Sequence, residues 1–329
     1  MKVLTALFGP TDAIDRARAL REAGAAGVFT FEGPHDVFAP LTLASTVGGL
    51  DLMTNVAIAF PRNPIQLAHQ AYDHQLLSGG RFTLGLGTQI RTQIEKRYGA
   101  TFDRPVGRMR ELVGALRAVF TTWETGERLD FRGEFYRHTL MTPTFTPGPN
   151  PFGPPPIYIG ALGPQLTRAT AEVADGLLVM PFGTTRFLRE ATMPAVRQGL
   201  AAAGRSASGF ALVPEVIVSA GVDHDATRRL LSFYGSTPAY RPVLDIHGWG
   251  DLQPELNAMS KQGRWNDMAG LITDEVLHTI AACGTPKEIA AHIRDRVAAA
   301  EGLAETVCLY QPGPIAIDTL AMIVDELRG

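Results

Sequence analysis

The sequence contains few of the residues on which several large classes of proteins depend. Cys283 and Cys308 are the only cysteines, which excludes a disulfide framework and a thiolate metal site. No run approaches the roughly 18 consecutive apolar residues of a membrane span. The first residues, MKVLTALFG, form too short an apolar run for a signal peptide. We therefore expect a cytoplasmic protein without disulfide bonds that does not act at a membrane.

Charge is also scarce and nearly balanced. The formal net charge is -3, so nothing predicts binding to nucleic acid or to an anionic membrane. Lysine occurs only four times, and never at the end of a predicted strand, where a barrel enzyme would place a Schiff-base lysine. A His-x3-His pair and clustered carboxylates are missing, so we expect no metal site. The expected partner is a small-molecule substrate, and a homodimer is compatible with the sequence.

Short β-branched runs alternate regularly with helical stretches whose apolar residues recur at three- and four-residue spacing. The strand–helix alternation is interrupted near residues 126–156 and near 236–283. The first interruption is predicted to contain a hairpin that turns near Gly133. A Rossmann sheet is disfavoured because Gly85-Leu-Gly87 has no third glycine in register. We predict an α/β fold, a single (β/α)8 TIM barrel over residues 1–329 with these two segments as peripheral insertions. The predicted strands are Val3–Phe8, Val28–Glu32, Val56–Phe60, Phe82–Gly87, Ile157–Gly160, Gly176–Met180, Phe210–Ala220 and Thr306–Tyr310.

The active site of such a barrel forms where strands end and loops begin. The predicted strand ends are rich in glycine, which lets a flat ligand or its phosphate approach the backbone. They are poor in titratable groups, which indicates that a cofactor supplies the chemistry. Backbone amides and helix N-termini would bind the phosphate. Gly160-Ala161-Leu162-Gly163 and Gly183-Thr184-Thr185-Arg186 fit this need, although Thr184 or Thr185 could instead cap a helix.

Four segments carry a family resemblance. They are PIQLAHQAYDHQLLSGGRFTLGLGT at residues 64–88, FEGPHDVFAPLTLA at 31–44, IYIGALGP at 157–164, and Ala174-Asp175-Gly176. The Ser-Gly-Gly-Arg turn alone would also suit a helix C-cap. Together the segments resemble the luciferase-like monooxygenase superfamily, in particular its F420-dependent oxidoreductase branch. The resemblance covers residues 1–200, and the region beyond offers little to match.

The resemblance implies an oxidoreductase that transfers hydride between a deazaflavin, coenzyme F420, and a small organic substrate. It places Gly87 and Thr88 beside the cofactor ring, with a tight strand-end turn as the alternative. It also places a non-proline cis peptide that supports the ring at Asn55-Val56, where the alternative is an ordinary trans strand. An FMN-dependent monooxygenase would share the fold. A barrel that binds a cofactor without catalysing a reaction is a further alternative, because it would also need few titratable groups.

Four polar side chains near the predicted strand ends are candidates for the chemistry and for ligand contacts. Histidine is the side chain suited to proton transfer in a site with few other proton carriers, so His35 is the candidate proton carrier, oriented by Glu32. Relatives place the acid directly before the histidine, so His35 could instead be a surface residue bonded to Asp36. Arg62 and Gln89 are candidate substrate or phosphate ligands, and Arg62 could equally form an ion pair within its loop.

Overall fold

A computed structural model describes all residues, 1–329. Eight parallel strands close into a barrel in the order β1-β2-β3-β5-β8-β9-β10-β12, with β12 bonded back to β1. The predicted (β/α)8 fold is therefore confirmed. The strands are β1 (Lys2–Ala6), β2 (Gly27–Thr30), β3 (Asp51–Thr54), β4 (Ala57–Ile58), β5 (Phe82–Gly87), β6 (Phe131–Arg132), β7 (Arg137–His138), β8 (Ile157–Ala161), β9 (Gly176–Val179), β10 (Ala211–Ala220), β11 (Ala282–Gly284) and β12 (Thr306–Tyr310).

Helices surround the barrel, and those that connect its strands bury an apolar face against it. Prolines begin several of them, such as Pro64 and Pro164, because the first turn needs no backbone N–H from that residue. None of the helices combines the length and the apolar character that crossing a membrane requires. The helices are α1 (Ala13–Glu22), α2 (Ala39–Ser45), α3 (Pro64–Leu77), α4 (Pro105–Thr125), α5 (Pro164–Val173), α6 (Thr185–Phe187), α7 (Met193–Ala202), α8 (Asp225–Gly235), α9 (Arg241–Asp245), α10 (Leu252–Lys261), α11 (Trp265–Met268), α12 (Asp274–Ile280), α13 (Pro286–Ala298) and α14 (Ile317–Arg328).

The third barrel strand begins earlier than the sequence predicts. Residues 51–54 pair with β2, and the chain continues as β4, which pairs with β5. The predicted start at Val56 is wrong, because the strand is interrupted at Asn55 and its first half lies upstream. Gly27 on β2 permits this pairing, since a Cβ there would collide with the backbone of Asp51.

The two interruptions of the alternation lie outside the ring of eight strands. The predicted hairpin is present as the antiparallel pair β6 and β7. The carboxylate of Glu111 on α4 anchors its turn by accepting backbone N–H groups of Glu134, Phe135 and Tyr136. The second segment folds into α9 to α12 and enters β11, which pairs with the end of β10 and was not predicted as a strand. This segment therefore packs at the C-terminal end of the barrel.

Candidate active site

A cavity of about 400 Å³ lies at the C-terminal ends of the barrel strands. Its walls combine glycine, aliphatic and aromatic residues, and no lysine, arginine or histidine lines it. The wall residues are Phe31, Glu32, Asn55, Val56, Ile58, Gly87, Thr88, Gln89, Ile90, Gly160, Ala161, Leu162, Gly163, Leu166, Leu178, Met180, Pro181, Glu215, Tyr234, Ala239, Tyr240 and Tyr310. A concave, mostly apolar site with few polar groups is typical of small-molecule and cofactor sites.

The first wall of the cavity is built on Asn55 and Val56. The peptide bond between them is cis, as the resemblance implied. The Val56 side chain packs over two strand-end glycines: a Cβ on Gly87 would collide with it, and one on Gly160 would lie 3.1 Å from Val56 Cγ1. Gly87 therefore allows this wall to form, and a side chain in place of Gly160 would crowd Val56. Both glycines lie at the cavity surface, together with Thr88 and Gln89.

The second wall is the loop between β8 and α5. Gly163 is the N-cap of α5, and a Cβ there would meet no atom within 4 Å, so the loop is open toward the cavity. The first turn of a helix has N–H groups without intrahelical acceptors, and these favour an anion. The structure thus brings Gly160, Ala161, Leu162 and Gly163 to the cavity. Contact of these residues with a cofactor phosphate stays a prediction.

The other loop predicted to bind phosphate lies elsewhere. Gly183, Thr184, Thr185 and Arg186 are not part of the cavity wall. Thr184 Oγ1 accepts from the Phe187 backbone N–H at 3.0 Å, so the helix-cap alternative describes it. The hydroxyl also lies 2.9 Å from His247 Nε2. Packing of this loop against the neighbouring helices, rather than access to the cavity, explains its threonines.

Arg186 and Thr185 also have partners within the fold. Arg186 Nε donates to Glu190 on the next turn at 3.0 Å, an exposed ion pair. Thr185 Oγ1 accepts from Nε of the buried Arg296 at 3.4 Å. The assignment of this loop to the cofactor site is therefore not supported by its position.

Glu32 lies in the cavity wall, and both oxygens of its carboxylate accept hydrogen bonds from within the fold. Oε2 accepts from Arg62 Nη1 at 2.6 Å and from the Ile58 backbone N–H at 2.9 Å, while Oε1 accepts from the Tyr98 hydroxyl at 2.9 Å. Burial, with this hydrogen bond, raises the pKa of Tyr98 to about 12. Arg62 is outside the wall, so its ion-pair alternative describes it. Glu32 therefore ties β2 to β4 and does not orient His35.

His35 lies at the surface, outside the cavity wall. Its imidazole covers Gly9, where a Cβ would lie 2.9 Å from His35 Cδ2. Its neighbour Asp36 instead accepts the backbone N–H groups of Phe38 and Ala39 at 2.9 and 2.8 Å, at the start of α2. The structure brings His35 together with neither Glu32 nor Asp36. A role of His35 in proton transfer stays a prediction.

Glu215 on β10 is the cavity carboxyl that sequence reasoning missed. It is buried, and Asn55 Nδ2 donates to its Oε2 at 3.1 Å. Burial raises the pKa of Glu215 to about 8, because no cation compensates its charge. The sequence offered one signal, namely a single acid inside the otherwise apolar strand ALVPEVIVSA.

Three tyrosines form the remaining wall, and no sequence pattern predicted them. Tyr310 ends β12, Tyr234 lies on α8, and Tyr240 precedes α9 in the segment 236–283. The rings of Tyr234 and Tyr240 meet edge to face at a centroid distance of 6.0 Å. Residues of the second insertion thus contribute directly to the cavity.

Comparison with known proteins agrees with this architecture. The family model described as luciferase-like monooxygenase matches residues 2–301. An uncharacterized protein of Mycobacterium tuberculosis is 47% identical over 90% of this chain and 88% of its own. The 5,10-methylenetetrahydromethanopterin reductase of Archaeoglobus fulgidus is 30% identical over 76% of this chain and 74% of its own. An F420-dependent glucose-6-phosphate dehydrogenase of Nakamurella multipartita is 30% identical over 70% and 69%.

Solved structures share the fold at low identity. The coenzyme F420-dependent tetrahydromethanopterin reductase of Methanopyrus kandleri superposes with a TM-score of 0.83 at 18% identity, over 99% of this chain and 98% of its own. The oxygenating constituent of 3,6-diketocamphane monooxygenase of Pseudomonas putida, in complex with FMN, has a TM-score of 0.64 at 15% identity, over 96% and 92%. At such identities the likeness concerns the fold alone. With the family model spanning nearly the whole chain, the protein belongs to the luciferase-like monooxygenase family.

Proposed function

We propose that this protein is an F420-dependent oxidoreductase that transfers hydride between the deazaflavin and a small organic substrate. The observation that carries the proposal is one cavity wall. In this wall, Val56 packs on Gly87 and Gly160, and the uncovered N-terminus of α5 lies at the same cavity. Coenzyme F420, when bound, supplies or accepts the hydride. The chain supplies the binding surface, the orientation and the exclusion of water.

The residues present fit a flat cofactor with a phosphate-bearing tail. Gly87 and Gly160 make room for the Val56 side chain, which would form the wall against the ring, and Gly163 leaves the entry to α5 uncovered. The α5 N-terminus offers backbone N–H groups to an anion without a charged side chain. The absence of lysine and arginine from the wall is therefore compatible with phosphate binding there.

The relatives support the choice of cofactor. The named activities of the 30% identical relatives are a 5,10-methylenetetrahydromethanopterin reductase and an F420-dependent dehydrogenase. The runner-up is an FMN-dependent monooxygenase, and the FMN complex among the solved structures favours it through the shared fold. A barrel that binds F420 without turning over a substrate is the non-catalytic alternative.

Titration of the purified apoprotein with F420 and with FMN separates these candidates. We expect saturable quenching of F420 fluorescence and weaker binding of FMN. If FMN copurifies and F420 shows no saturable binding, the monooxygenase alternative replaces the proposal. The non-catalytic alternative applies if F420 binds but no carbonyl compound or alkene in a substrate panel reoxidises its reduced form and no alcohol reduces its oxidised form.

A further inference from the structure

Glu215 lines the cavity, and its carboxyl group has one hydrogen bond within the fold. The residue is 6% exposed. Asn55 Nδ2, a neutral donor, occupies Oε2 at 3.1 Å. In a protonated carboxyl group, Oε2 acting as acceptor leaves Oε1 as the hydroxyl donor. The side chain can therefore keep its bond to Asn55 and still offer a proton to a ligand.

The groups that surround Glu215 favour its neutral form. Cys308 and Tyr310 lie beside it on β12, and Tyr234 faces it from α8. None of them is cationic, and burial raises the pKa of the Tyr310 hydroxyl to about 12 and that of Cys308 well above its usual value. The second cavity carboxylate, Glu32, has Arg62 as its counterion, so the two acids have opposite environments. This division is typical of sites where one carboxylic acid donates a proton.

The wall also restricts the charge of the substrate. No lysine, arginine or histidine lines the cavity, so a carboxylate or phosphate on the substrate would be buried without a counterion. The α5 N-terminus is the one feature that favours an anion, and the proposed function assigns it to the cofactor. The cavity residues near Glu215 are instead Tyr234 and Tyr310, and Tyr240 packs against Tyr234.

We propose that Glu215 is the acid of this site, donating a hydrogen bond and then its proton to the carbonyl oxygen of an uncharged ketone or aldehyde substrate. The proposal rests on the proposed function, which supplies the hydride. In the reduction, the carbonyl carbon takes the hydride and its C–O π pair moves to the oxygen, which takes the Glu215 proton, giving an alcohol and oxidised F420. The Glu215 carboxylate then regains a proton from water.

The first test is ligand binding to the apoprotein, with cyclohexanone as the neutral probe and 4-oxocyclohexanecarboxylate as its charged match. We expect cyclohexanone to bind and the carboxylate to bind at least roughly tenfold more weakly. Between pH 7 and pH 9 the affinity of the wild type for cyclohexanone should fall by about tenfold, following the protonated fraction of Glu215. In Glu215→Gln, which keeps the shape but does not ionise, the affinity should stay constant over this range. Thermal unfolding of the variant checks that it is folded.

The second test is turnover of cyclohexanone with reduced F420. We expect kcat to fall by roughly 10²–10⁴-fold in Glu215→Gln, with a smaller change in KM. Equal kcat values, a flat pH profile in the wild type, equal affinity for the two probes or no wild-type turnover would each overturn the inference. So would a loss of F420 affinity without a loss of cyclohexanone affinity, since Glu215 would then hold the cofactor. If F420 itself does not bind but the pH-dependent binding of cyclohexanone persists, the proposed function fails while the hydrogen-bonding part of the inference stands.

Discussion

At the residue scale, Glu215 links the chemistry of the cavity to the stability of the barrel. Its folded-state pKa of about 8 lies above the pKa in the unfolded chain. At a pH between these two pKa values, the unfolded chain has released the proton that the folded chain still binds. Stability is therefore lost as the pH rises. We expect the wild type to lose about 3 kcal/mol of unfolding free energy relative to Glu215→Gln between pH 5 and pH 8. Urea unfolding of both proteins at the two pH values measures it, and parallel pH profiles would contradict the assigned environment.

Gly87 provides a second test of how the cavity wall is built. Gly87→Ala places a methyl group against the Val56 side chain, whereas Gly107→Ala, at an exposed position of α4, places one 4.0 Å from its nearest neighbour, Phe135. We expect the first change to lower the free energy of unfolding by about 1–3 kcal/mol and to weaken F420 binding. The second should raise stability by roughly 0.5–1 kcal/mol, since alanine favours helix. Chemical denaturation of both variants decides, and equal effects would show that Val56 can move aside.

Individual residues were predictable from the sequence where the reason is local. Gly87 and Gly160 follow from the need for close approach at a strand end, and the structure places both at the cavity. Glu32 was placed correctly at the strand end, but its partners Arg62 and Tyr98 come from elements 30 and 66 residues away. Glu215 was missed because its contacts also come from elements that are distant in the sequence. Its importance depends on burial among β12 and α8, which no local pattern encodes.

At the scale of elements, the N-terminus of α5 is the part of the proposed cofactor site that can be changed with least effect on folding. Gly163 has φ of -71°, which any residue adopts, and has open space around it. We expect Gly163→Ala to bind F420 as the wild type does. Gly163→Glu should weaken binding by roughly tenfold or more, because its carboxylate competes with and repels the cofactor phosphate. Fluorescence titration of both variants tests this, and equal weakening by alanine would point to the loop backbone instead.

Helix α13 contributes a different pH dependence. Burial, followed by the charge of Arg296 one turn away, lowers the pKa of His292 to about 4. The unfolded chain therefore binds a proton that the folded chain does not between about pH 6.5 and pH 4, so stability is lost as the pH falls. We expect the wild type to lose about 2 kcal/mol relative to His292→Gln between pH 7 and pH 5. Urea unfolding at both pH values measures the difference, and an equal loss in the two proteins would place His292 in contact with water.

The strands of the barrel were largely predictable, because each combines a β-branched run with a turn signal. Phe82–Gly87 and Thr306–Tyr310 match the prediction in both bounds. Asp51–Thr54 was missed because the following residues, VAIAF, are richer in β-branched and apolar side chains than DLMT. The loop of Thr184 has the composition of an anion site, and only its packing against His247 and Arg296 distinguishes a helix cap from a ligand contact.

At the scale of the whole molecule, the cavity is assembled from segments spread over almost the entire chain. Phe31, which follows the second barrel strand, and Tyr310, which ends the last one, both belong to the cavity wall. Tyr240 reaches the same wall from the second insertion. Sequence resemblance covered only residues 1–200, so the wall formed by Tyr234, Tyr240 and Tyr310 could not be anticipated. This uncharged wall is the part of the cavity on which the neutral substrate inferred above depends.

This arrangement predicts a specific pattern of amide hydrogen exchange. If a bound ligand must dissociate before the cavity wall can open, it slows amide exchange in that wall. The slowing reaches up to about 100-fold when the free ligand concentration is 100 times Kd. We expect F420 to protect residues 55–58, 87–90 and 160–166 together. Cyclohexanone added with F420 should extend the protection to 234–240, and α14, which does not touch the cavity, serves as the internal control. Protection of 183–186 without 160–166 would contradict the assignment of the phosphate to the α5 N-terminus. Uniform protection that includes α14 would indicate global stabilisation, and the cavity would then not be identified as the binding site.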